Sequence, residues 1–128
     1  MPVLRTFTRV YVDELDAALP TFVELTGEQP SLRFPYLDLE LAAVGPHLLV
    51  AGTPEALAPF RATHATAIVT SLDEILALLG THGGEILDGP NTVPTGRNLT
   101  ARHPGGAIVE YVEHHEEARA SLGIAQGK

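Results

Sequence analysis

The sequence is 128 residues long, 45% of them apolar, with a formal charge of −8 and no cysteine. That length suits one domain, the missing thiols exclude disulfides, zinc fingers, thiolate catalysis and iron–sulfur clusters, and the negative charge argues against nucleic acid as a partner. No apolar run reaches membrane-spanning length and no charged-then-apolar leader opens the chain, so no membrane contact and a cytoplasmic location are expected.

From Leu4 to Val12, the residues Thr8, Val10 and Val12 alternate with Arg5, Phe7, Arg9 and Tyr11, the period of a strand with one face toward a core. Asp13 fits an N-cap for a helix running to Thr26 and Gly27 a stop, while Pro20 inside it predicts a kink or a restart. Three strands are predicted next, at Ser31–Tyr36, Leu37–Val44 and His47–Ala51, the last two joined by a Gly45-Pro46 turn. Thr53–Ala62, with Pro54 and Pro59, reads as a linker. A strand at Thr63–Val69 then leads into a helix from Ser71 to Thr81, opened by the capping box of Ser71 and Glu74. Leu72, Ile75, Leu76 and Leu79 form its apolar stripe, and Gly83-Gly84 end it. Strands near Glu85–Leu87, Arg97–Arg102 and Ala107–Glu113 follow, and His114–Lys128 reads as a frayed helix or disorder.

Strand, helix and three strands thus occur twice. A shift of 57 positions sets Val12 on Val69, Leu15 on Leu72, Asp16 on Asp73, Leu19 on Leu76 and Gly27 on Gly84, which reads as an internal duplication. The expected organisation is one domain over 1–114, with modules at 4–52 and 63–114, a linker at 53–62 and a tail at 115–128. At this shift His64 falls on Phe7. Alternation turns Ala65, Ala67 and Val69 toward the helix and His64, Thr66 and Ile68 away from it, with Phe7, Arg9 and Tyr11 as their first-half equivalents. Such a face can line a cleft.

The stretches "VYVDELDAALPTFVELTG", "HATAIVTSLDEILALLGTHGGEI" and "GRNLTARHPGGAIVEYVE" resemble the vicinal oxygen chelate superfamily, which includes glyoxalase I, extradiol dioxygenases and the bleomycin-resistance proteins. The resemblance runs from about Leu4 to His114. It implies an α+β fold of two βαβββ modules, each curling a mostly antiparallel sheet into half of a cupped cleft with helices outside. It also implies metal ligands, in the metal-dependent members, on the first and fourth strands of each module. Carried over residue by residue, His64 and Glu110 occupy the second module's two positions, whereas Phe7 and Val50 occupy the first module's. Phe7 and Val50 cannot bind a metal, and two ligands fall short of the usual three.

The expectation is therefore a metal-free protein that encloses an apolar, ring-containing or anionic small molecule, as drug-sequestering antibiotic-resistance members of that superfamily do. No cofactor is expected; a divalent metal, if one bound, would use His64 and Glu110. The ligand-binding candidates are Phe7, Arg9, Tyr11, Tyr36, Val50, His64, Arg97 and Glu110, with the arginines offered to an anionic group. Arg9 and its neighbour Arg5 have a plainer reading as ion-pair partners of Glu110 or Glu40. The competing reading is a metal-dependent lyase, epimerase or dioxygenase in which His64 and Glu110 hold the metal or move a proton. A homodimer is expected as well, because the proline-stiffened linker could hand one module to a second chain.

Overall fold

Period-2 alternation in Val3–Val12 (β1) sends Val10 and Val12 to one side of the sheet and Phe7, Arg9 and Tyr11 to the other. In the computed structural model, which describes residues 2–124, this alternation recurs along most strands and creates two faces with separate cores. The outer face of the first half packs against Leu15–Thr26 (α1): Leu15 seats on Ala42, Val44, Leu49 and Ala51. The outer face of the second half packs against Leu72–His82 (α3) through Leu72, Ile75 and Leu79 on Ala67, Val69, Leu99 and Ala101. The inner faces of both halves share a third core around Phe7, Leu41, Leu48, Val50, Ile68 and Val112.

The first module is completed by Leu32–Tyr36 (β2), Leu39–Val44 (β3) and His47–Ala51 (β4). A short helix, Pro54–Leu57 (α2), leads to the second, made of Ala65–Val69 (β5), α3, Glu85–Val93 (β6), Gly96–Arg102 (β7) and Ile108–His114 (β8). Glu116–Ser121 (α4) follows. All eight strands form one sheet in the order β2-β3-β4-β1-β5-β8-β7-β6, so the modules meet at the antiparallel β1–β5 seam. Within each module the first strand runs parallel to the last, β1 beside β4 and β5 beside β8. The cup is thus an α+β arrangement of two βαβββ modules, with α1 and α3 outside, and it closes within a single chain. Among the described residues no helix is long and apolar enough to cross a membrane.

Local chemistry explains most element ends. Ser71 caps α3 by accepting from the Glu74 N–H at 3.4 Å, but the Glu74 carboxylate completes the box on the Thr70 hydroxyl at 2.9 Å rather than on the cap residue. Gly27 and Gly83, both left-handed, stop α1 and α3. Gly96 is the tightest backbone approach: at φ +148° an added Cβ would lie 2.1 Å from the Glu113 carbonyl, so only glycine lets β7 start against the end of β8.

Four expectations are corrected. The α1 N-cap is Glu14, not Asp13, and Pro20 interrupts neither end of one continuous helix. The strand expected at 85–87 runs on to Val93. The expected linker carries α2, capped by the Thr53 hydroxyl on the Ala56 N–H, and buries Leu57 completely in the inner core. Of the two readings of the tail, the helix is the one found, as α4, and the chain continues into buried Leu122 and Ile124; residues 125–128 lie outside the described residues. Two anchors explain its order. His115 caps α4 through Nδ1 and reaches the Pro94 carbonyl through Nε2, and the Arg5 guanidinium donates to the Leu122 carbonyl at 2.7 Å.

Because Leu57 fills the inner core, Leu57→Ala should lower stability by about 2–4 kcal/mol. A urea titration showing less than about 0.5 kcal/mol would mean that residues 53–62 only tether the modules.

Candidate functional site

Between the inner faces of the two modules lies a cavity of about 50 Å³. Phe7, Phe34, Leu41, Leu48, Ile68 and Val112 make most of its wall, and Leu122 reaches in from the turn after α4. Tyr36 also lines it. The apolar wall follows from alternation, since each strand turns every second residue inward. Tyr36 apart, the polar wall belongs to the second module: Thr66 on β5, Glu110 and His114 on β8, and Thr95 and Asn98 around the start of β7.

Glu110 is the centre of a hydrogen-bonded row that crosses four adjacent strands. Its Oε1 accepts from Arg9 Nη2 at 2.7 Å and from the Thr66 hydroxyl at 2.8 Å, and its Oε2 accepts from Asn98 Nδ2 at 2.6 Å. Arg9 also donates from Nε to Thr66 Oγ1 at 2.9 Å and from Nη1 to the Tyr11 hydroxyl at 3.2 Å, so each of its three nitrogens is committed. The Tyr11 hydroxyl in turn lies against the carbonyls of Phe60 and Thr63, and the Arg61 guanidinium covers its ring at 5.7 Å. The Arg9 and Glu110 side chains are only 7% and 14% exposed, so this is a buried pair whose desolvation must be met by good geometry. Burial alone would lower the Arg9 pKa. The Glu110 charge, followed by Tyr11, more than offsets that and holds it above the usual arginine value.

Two buried polar atoms on the cavity wall have no partner, Asn98 Oδ1 and His114 Nδ1. The donation from Asn98 to the Glu110 carboxylate fixes which end of the amide is which, because the carboxylate can only accept. The Asn98 carbonyl oxygen is therefore the free end. Burial, with the nearby His115, lowers the His114 pKa to about 4, against a smaller opposing pull from Glu110. His114 is neutral at physiological pH.

The structure brings Phe7, Tyr36 and Glu110 to the cavity wall. Arg9 and Tyr11 stand behind Glu110 and hold it. Val50 is buried in the inner core without lining the cavity. His64 is exposed just before β5, and Arg97 points outward to pair with Glu113 at 3.2 Å. Arg5 is spent on the Leu122 carbonyl. The strand register also corrects one equivalence. Arg9 pairs with Leu48 where its counterpart Thr66 pairs with Glu110, so the first-module equivalent of Glu110 is Leu48, not Val50. The shift changes because the second module is longer between its helix and its last strand. The four positions that the resemblance assigns to a metal do not fit one. Phe7 and Leu48 have no donor atoms, His64 lies off the cavity wall, and both Glu110 oxygens are occupied by N–H and O–H donors.

Asn98, His114 and Leu122 were not among the sequence candidates. A signal existed for the first two. Counting by twos from Glu110 puts His114 on the same face, and an asparagine is a poor strand former unless its amide has work there. Nothing local marked Leu122.

No family model and no curated protein matches the sequence. Solved structures do. An uncharacterised protein from Methanosarcina mazei is 45% identical over 91% of this chain and 96% of its own, with a TM-score of 0.85. Methylmalonyl-CoA epimerase from Mycobacterium tuberculosis is 20% identical over 92% of this chain and 93% of its own, with a TM-score of 0.69. A methylmalonyl-CoA epimerase in complex with methylmalonyl-CoA and ammonium is 18% identical over 91% and 97%, with a TM-score of 0.70. The likeness to the two epimerases is one of fold.

Removing one member of the buried pair strands the other. Arg9→Met should cost about 3–5 kcal/mol in urea unfolding, and the double variant Arg9→Met/Glu110→Leu less than the sum of its singles. Additive losses would mean that the pair is not coupled.

The low His114 pKa has a fixed sign. The unfolded histidine binds its proton near 6.5 and the folded one only near 4, so its contribution is complete above 6.5 and is lost as the pH falls toward 4. Wild type should therefore lose more stability than His114→Phe on going from about pH 7 to about pH 5. Equal losses by chemical denaturation would place His114 in water.

Proposed function

We propose that this chain, which belongs to the same family as the Methanosarcina mazei protein, binds a small apolar molecule inside the cup and holds it without a metal. The reading places it beside the metal-free binding members of the vicinal oxygen chelate superfamily. The observation that carries it is a central apolar cavity, built by both modules, whose wall keeps two buried polar atoms without partners. A core designed only for stability would pair or remove such atoms, because each costs about 1–3 kcal/mol. Sequestration needs no chemistry, only an affinity that keeps the free ligand scarce.

The cavity of about 50 Å³ is smaller than the roughly 150 Å³ apolar cavities that take up benzene. Leu122 is the wall element best suited to move. It follows a six-residue helix, whereas the other large apolar walls sit on paired strands. In this reading the ligand replaces Leu122 against Phe7, Ile68 and Val112.

The competing reading is an enzyme of the same fold. The likeness to epimerases supports it only at the level of architecture, and the residues support it less. His64 lies off the cavity wall, and Glu110 is engaged by Arg9, Thr66 and Asn98.

The test is a titration of the full chain with toluene, followed by amide chemical shifts. Shifts should centre on Phe34, Ile68, Val112 and Leu122. Leu122→Ala should tighten binding about tenfold by enlarging the cavity, and Ala43→Phe should abolish it by filling the space. Absent or scattered shifts would remove the cup as a binding site.

A further inference from the structure

Resting on the cup as the binding site, we infer that its ligand is an uncharged apolar molecule bearing a hydroxyl group, which donates a hydrogen bond to Asn98 Oδ1. Apart from Tyr36 the cavity is apolar on the first module's side, and on the other Glu110 and Thr66 are engaged in the internal row. Arg9 is neutralised by Glu110 at 2.7 Å, and its remaining nitrogens serve Thr66 and Tyr11. An anion entering the cup would therefore meet no free cation on the cavity wall. It would face the Glu110 carboxylate and the Asn98 carbonyl oxygen, both of which can only accept.

What Asn98 lacks is a donor. Asn98 is 8% exposed, its amide nitrogen is spent on Glu110, and its Oδ1 is buried without a partner. His114 Nδ1 is the second unpartnered atom, and as a neutral imidazole it presents either a donor or an acceptor there. A hydroxyl, which donates one bond and accepts others, suits Asn98 and can accept from His114 in the tautomer that carries its proton on Nδ1. An ether or ketone leaves Asn98 unsatisfied, and a carboxylate adds repulsion to that loss. The anionic group anticipated from the arginines is thereby replaced, because the arginine meant to hold it is buried in an internal pair.

Four probes of one ring size test this on the full chain by calorimetric titration at neutral pH: phenol, anisole, toluene and benzoate. Phenol should bind about five- to tenfold more tightly than anisole or toluene, the range of one neutral hydrogen bond, and benzoate more weakly than all three. Asn98→Leu should erase the advantage of phenol over toluene while leaving toluene bound. If that variant does not fold, the comparison of phenol with anisole in wild type decides alone, since the two differ mainly in the donated proton. Equal affinity for those two, or preference for benzoate, overturns the hydroxyl assignment while the cup survives as a site. Failure of all four probes to bind overturns both.

Discussion

The buried contact between Arg9 and Glu110 sets the terms for everything around it. A guanidinium and a carboxylate removed from water are tolerated only when their remaining hydrogen-bonding capacity is met. Here Thr66, Tyr11 and Asn98 meet it. The four side chains Arg9, Thr66, Glu110 and Asn98 come from β1, β5, β8 and β7, neighbours in the sheet, so the row can form in only one register. A slip of one residue would turn each of them onto the outer, helix-covered face. The pair thereby fixes how the two modules meet, which matters because the β1–β5 seam is otherwise made of ordinary strand pairing.

The same row divides the cup chemically. Duplication supplied two similar modules, but their inner faces have diverged: the position held by Glu110 in one is Leu48 in the other, and Arg9 is matched by Thr66. One wall became apolar, whereas the other became polar and almost fully satisfied internally. What remains available to a ligand is the difference between the hydrogen-bonding atoms present and those already used. That difference is small, and it lies on Asn98 and His114. The charged residues of the site thus act as supports. In the proposed reading, specificity rests on a neutral amide and a neutral imidazole.

The C-terminal segment gives the site its third wall. α4 is too short to hold itself together and depends on anchors at both ends: the His115 cap tied to the Pro94 carbonyl, and the Arg5 bond to the Leu122 carbonyl. Segments tied down by a few side-chain bonds open at lower cost than paired strands. In the proposed reading, a cup whose lining includes one such segment can make room for a ligand larger than its cavity.

The sequence by itself determined the order of the strands and of the two long helices, the repeat of that order and many of the inward and outward faces, because these follow from local periodicity and capping. Ser71, Gly27 and Gly83 marked helix ends for reasons confined to a few neighbouring residues. Alternation was enough to put Phe7 on the inner face, the resemblance singled out Glu110, and Tyr36 also proved to line the cavity. Three matters were decided only by the tertiary structure. Pairing register chose Glu110 as the partner of Arg9 and Leu48 as the counterpart of Glu110, since hydrogen bonds between strands distant in sequence leave no local trace. The outward turn at Arg97 and the inward turn at Asn98 were set by where β7 begins, against Gly96. The burial of Leu122 depended on a cup assembled from both modules, which no window of sequence around residue 122 contains.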